Sequence, residues 1–131
     1  MAQYAEIVEI VAPSQAVSGS QVNVTARIKN TYPAAIGIMA IGIPEYPGLP
    51  GGEYINGLYP YQATVNTNAG WVAEFAGYFI MPSTNMTIRV YSYYFGSDGQ
   101  WHFDDEKTKG VNLAELSPVF CEFRLTDYQK V

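Results

Sequence analysis

Gln21-Val22-Asn23-Val24-Thr25-Ala26-Arg27-Ile28-Lys29 is the stretch from which the fold can be read. Val22, Val24, Ala26 and Ile28 fall at every second position, and Gln21, Asn23, Thr25, Arg27 and Lys29 fill the places between them. Successive side chains of a strand point to opposite faces, so this is a strand with one face in a core and the other in water. A helix needs apolar residues three and four apart, and no part of the chain keeps that spacing beyond two turns. The chain is therefore read as all-β.

Working outward, residues 5–11 alternate charge and aliphatic side chains until Pro13 stops them, and Ser18-Gly19-Ser20 turns the chain. On the other side, Asn30-Thr31-Tyr32-Pro33 turns into residues 36–43, which are apolar on both faces. That pattern marks a central strand covered on both sides, or one whose outer face meets a partner. Three prolines and three glycines among residues 44–52 make a loop, because Pro removes donors and Gly supplies positive φ. Irregular chain is expected to about residue 61, with a short edge strand at residues 54–58.

Alternation resumes at residues 71–79, with Ala73, Phe75, Gly77 and Phe79 on one face. Residues 86–95 put Met86, Ile88, Val90, Ser92 and Tyr94 on one side, and Thr87, Arg89, Tyr91, Tyr93 and Phe95 on the other. Gly96-Ser97-Asp98-Gly99 is a hairpin turn, since Asp and Gly tolerate left-handed backbone. A return strand at 101–104, a polar stretch at 105–109 and a last core strand at 110–116 follow. About seven short strands separated by Gly and Pro turns point to an immunoglobulin-like two-sheet β-sandwich. Its expected core holds Val22, Val24, Ala26, Ile28, Phe75, Phe79, Ile88 and Val90. The sandwich is assigned to residues 1–117. Residues 118–131 form a strand-like tail, with Val119, Cys121, Phe123 and Leu125 on one face. The tail either completes this domain's own sheet or acts as an interaction arm.

Composition narrows the function classes. Of 131 residues, 48% are apolar and 15% charged, with a net charge of −5. The 7 basic residues stand singly, which disfavours nucleic acid and anionic membrane surfaces as partners. The longest apolar run, residues 36–43, is too short to span a bilayer, and residues 1–6 lack the pattern of a signal peptide. Cys121 is the single cysteine, which rules out an intrachain disulfide and suits a small buried apolar residue.

No catalytic residue, metal site or cofactor emerges. His102 is the single histidine, so zinc sites with two or more histidines are excluded, and it reads as a strand residue beside aromatics. Asp104-Asp105-Glu106, with Asp98 across the turn, lacks the spacing of a calcium loop. Adjacent carboxylates in a strand point apart unless the backbone bends, so a solvated acidic turn is expected. The candidate interaction surface is aromatic: Tyr91, Tyr93, Phe95 and Trp101, joined by Val119, Cys121, Phe123 and Leu125 of the tail. Outward aromatics anchor protein interfaces and also stack on sugar rings, although cross-strand pairing alone would account for them. The expected partners are proteins, in a homo-oligomer or a larger assembly, with a glycan as the alternative.

Two sets of residues carry a resemblance. Met81-Pro82, residues 87–94 and residues 98–106 resemble small proteins of phage and environmental prokaryotic genomes. Ala12-Pro13-Ser14, Gly19, residues 22–26 and Lys29-Asn30 resemble CARDB-like and related Ig-like adhesion domains of bacteria and archaea. The likeness covers roughly residues 5–116. It implies a sandwich fold and a structural or adhesion role on a virion or cell surface, and it implies no functional residue.

Overall fold

The computed structural model describes residues 3–48 and 53–114. Among them are eight strands: β1 (Ala5–Val11), β2 (Gln15–Val17), β3 (Gln21–Asn30), β4 (Ile36–Glu45), β5 (Thr64–Thr67), β6 (Val72–Ile80), β7 (Met86–Phe95) and β8 (Trp101–Ala114). They form two sheets, one ordered β1-β3-β6 and the other β2-β8-β7-β4-β5. Every pairing is antiparallel except β2 with β8. The immunoglobulin-like sandwich is thus present. No helix among the described residues is long and apolar enough to cross a membrane.

The inner faces are those that the alternation marks out. Val22, Val24, Ala26 and Ile28 of β3 meet Phe75 and Phe79 of β6, and Ile88 and Val90 of β7 lie opposite in the same buried cluster. All eight are buried, as expected. Pro44 and Gly42 of β4 share the inner face with Ile38 and Ala40, since they pair with Ile88, Val90, Tyr94 and Ser92.

Several local readings are corrected. The return strand and the last core strand are one 14-residue element, β8, because the polar stretch between them keeps pairing with β7. Such a stretch can stay in a strand because its outer face is wet. Two short strands, β2 and β5, were not expected. After Pro13, which donates no hydrogen bond, the chain leaves the first sheet, and β2 runs parallel to β8 in the second. The supposed edge strand at 54–58 makes a single bridge, Asn56 to Tyr78.

That segment nonetheless joins the two sheets. Ile55 N–H donates to Gly42 O at 2.9 Å and Gly42 N–H to Leu58 O at 3.1 Å, while Asn56 and Tyr78 exchange bonds of 2.9 and 3.0 Å. Ile55 and Leu58 are fully buried beneath this stitch. The two-faced apolar pattern of β4 follows in part, since this irregular chain covers its edge beyond Met39.

The opposite seam uses side chains. β8 carries a bulge: Tyr93 pairs with Phe103 and Ser92 with Asp105, so Asp104 is the extra residue. The bend turns Asp104 inward, where it is buried. Its carboxylate accepts the N–H groups of Gln3 (2.7 Å), Tyr4 (2.8 Å) and Ala5 (2.5 Å), and Asp105 accepts that of Ile7 at 3.0 Å. Ser92 Oγ donates to Ala5 O at 2.6 Å and accepts from Asp105 N–H at 3.1 Å. The expected solvated acidic turn is therefore wrong for Asp104 and Asp105. They satisfy the backbone of β1 where no neighbouring strand does.

Candidate functional site

The outer face of the five-stranded sheet holds the aromatic set. Tyr91, Tyr93 and Phe95 follow one another at period two along β7, facing away from Ile88 and Val90. Across the hairpin, Trp101 pairs with Phe95 and Phe103 with Tyr93. Phe103 sits between both tyrosines, with ring centroids 5.9 Å from Tyr91 and 5.8 Å from Tyr93, and Phe95 meets Trp101 at 5.2 Å, all edge to face. The Trp101 indole lies over Gly37 of β4, where a side chain's first carbon would stand 3.4 Å from the ring. The ladder is real, and its centre is Phe103, which the expected set of Tyr91, Tyr93, Phe95 and Trp101 does not include. The signal was available, because Phe103 alternates with Trp101 on the partner strand.

The face is open to water. Phe103 is 53% exposed, Phe95 44% and Tyr61, from the segment beside β4, 72%. Partial burial pushes the Tyr93 hydroxyl above the ordinary phenol range, and neighbouring Tyr61, Tyr91 and Tyr54 add to the shift. At one end Arg89 bridges Glu45 (2.9 Å) and Glu106. Val119, Cys121, Phe123 and Leu125, the tail part of the expected surface, lie outside the described residues. The outer face of the other sheet carries Arg27 at its centre, 3.2 Å from both Glu9 and Glu74, and exposes Val11, Val72, Tyr78 and Ile80 towards its ends.

At the hairpin end of the sandwich a cleft of about 610 Å³ opens between residues 3–4, the β3–β4 turn and the β7–β8 turn. Nothing in the sequence pattern marked it, because its walls come from segments far apart in the chain. Asp104 holds the backbone of Gln3 and Tyr4. Buried Asn30 fixes the opposite wall: its amide donates to Ala34 O and Thr67 O at 2.9 Å, and its oxygen accepts Tyr32 N–H at 2.8 Å. Tyr4 consequently packs edge to face on Tyr32 (4.7 Å) and on Tyr94 (4.9 Å). Tyr94 stacks on His102 at 5.3 Å, and His102 Nε2 lies 2.9 and 3.0 Å from the two oxygens of Asp98. His102 is thus a strand histidine among aromatics, as expected. Its hydrogen bond, followed by one from Gln100 N–H, holds the Asp98 carboxyl below its usual range.

No family model matches the sequence, and no curated protein matches it significantly. Among solved structures, the chain is similar to an ASH/PapD-like domain of human CEP192 (PapD-like domain 7). The TM-score is 0.58 and the identity 11%, over 88% of this chain and 89% of that one. A Niemann-Pick type C2 protein from the Japanese carpenter ant aligns over 86% of this chain and 96% of its own, with 7% identity and a TM-score of 0.47. At such identities the first likeness speaks for the fold.

Proposed function

We propose that this chain is a non-enzymatic binding module that self-associates through the outer aromatic face of its five-stranded sheet. The observation that carries the reading is the exposed ring of Phe103, held between Tyr91 and Tyr93 with Phe95 and Trp101 beside it. Cross-strand pairing asks only that the rings touch one another, yet Phe103 and Phe95 keep about half of their surface in water. A contiguous exposed apolar patch with a charged rim is the usual form of a protein contact. Arg89, Glu45 and Glu106 supply such a rim. The most exposed rings of the ladder, Phe103 and Phe95, carry no hydrogen-bonding group of their own, which favours a protein over a glycan on this face. A role at a virion or cell surface agrees with the resemblance described above.

Sedimentation velocity at roughly 50 μM tests the reading, a concentration that populates a complex of micromolar Kd. The intact chain is expected to sediment as an oligomer, and Phe103→Glu as a folded monomer that still melts in one cooperative transition. An intact chain that stays monomeric at this concentration overturns self-association through this face.

A further inference from the structure

We infer that the cleft between Tyr4, Tyr32 and Tyr94 is a second binding site, and that it takes a neutral hydroxylated ring, a single sugar residue presented as a glycoside. It is distinct from the outer face, which it meets at Gly37 and Phe95.

The volume of about 610 Å³ falls within the range of small-molecule sites. The choice of ligand follows from charge and from how the rings are arranged. The cleft has no lysine or arginine among its lining residues, so a phosphate or carboxylate would find no partner. An organic ammonium ion is held by aromatic rings standing around an open centre. Here the rings meet one another edge to face, at 4.7 Å for Tyr4 with Tyr32 and 4.9 Å for Tyr4 with Tyr94, so no open centre stands among them. A pyranose needs a single ring face for its C–H groups rather than a cage. Asp98 accepts from Gln100 N–H and lies against His102 Nε2, and its remaining lone pairs suit hydroxyl donors.

Polar groups complete the site. Asn66 and Ser97 line it, and among the described residues neither side chain has a hydrogen-bond partner. An amide and a hydroxyl with free capacity beside an aromatic wall match a ring that carries hydroxyls on its rim. The walls are also fixed in advance, by Asp104 under Tyr4 and by Asn30 under Tyr32, so binding costs little ordering.

Heteronuclear NMR titration of the full chain with methyl glycosides of glucose, galactose, mannose and N-acetylglucosamine tests this. At least one is expected to give saturable shifts at Tyr4, Tyr32, Tyr94 and His102, with a Kd on the order of 1 mM, as befits a small ligand with few anchors. Tyr32→Ala should weaken it by about tenfold, the equivalent of about 1.4 kcal/mol. Asp98→Asn, which keeps every ring, should weaken it as well, and Phe103→Glu should leave it unchanged. Because Phe103 lies outside the cleft, failure here and failure of self-association are separate results. The inference is overturned if no glycoside shifts these residues up to about 50 mM. It is likewise overturned if tetramethylammonium saturates the site where the sugars do not, or if neither Tyr32→Ala nor Asp98→Asn lowers the affinity.

Discussion

Asp104 shows how much one side chain settles. It is the residue that the β8 bulge pushes inward, and three backbone N–H groups end on its carboxylate. Hydrogen bonds to a charged acceptor contribute about 1.5–3 kcal/mol, and buried donors left without one cost a similar amount. Asp104→Ala is therefore expected to lower stability by on the order of 3 kcal/mol in urea melts. Asp105→Ala, which loses one such bond, should cost clearly less. Equal losses from the two would show that the seam does not depend on Asp104. Sequence reasoning noted that adjacent carboxylates converge only where the backbone bends. It could not locate the bend, since a bulge is a property of pairing with β7 and leaves no mark on β8 alone. The same holds for β1, where the register shifts between Ile7 and Glu9 so that Ile10 faces inward. The repeated Glu-Ile-Val of residues 6–11 fits that extra residue better than simple alternation.

Among the elements, legibility tracks burial contrast. β3, β6 and β7 have one dry and one wet face, and their limits fall within a residue of those read from alternation. β2 and β5 are three and four residues long and mostly unburied, so their sequences carry no face to detect. Residues 54–58 read as a short edge strand, but the stitch they form takes its order from β4 and β6 on either side. Gly77 tests that stitch. A first side-chain carbon there would stand 2.4 Å from Asn56 O, a backbone atom that can move only with the segment. Gly77→Ala should cost about 1–3 kcal/mol, as overpacking does. Gly110→Ala, with open space around it, should be neutral or slightly stabilising in the same thermal melts. A neutral Gly77→Ala would mean that the stitch is loose. The aromatic ladder was legible as far as alternation along β7 reached, and the cleft was illegible because no single element contains it.

For the whole molecule, stability should fall at both ends of the pH range. The Asp98 carboxyl is held low by His102 and Gln100, so its contribution is present above the ordinary carboxylate range, near pH 4, and is lost as pH falls through its lowered folded value. Tyr93 and Tyr94 are held high, each chiefly by partial burial, so their contribution is present below about pH 10 and is lost as pH rises through their folded values. Thermal melts across pH should show both limbs, with Asp98→Asn flattening the acid limb and Tyr94→Phe the alkaline one. An acid limb that Asp98→Asn leaves untouched would remove Asp98 from the account. The Asp104 seam has a further consequence, which concerns time. The bonds that secure the start of β1 join residues 99 to 101 positions apart. On a translating ribosome, the first strand to emerge must wait until nearly the whole domain has been made before its anchor exists. Closing so long a loop is slow, so in the interval β1, β3 and the Tyr4 wall are nascent chain in need of shelter. Any pause in translation that keeps Asp104 from emerging, whether before it is made or while the ribosome still encloses it, would prolong that state.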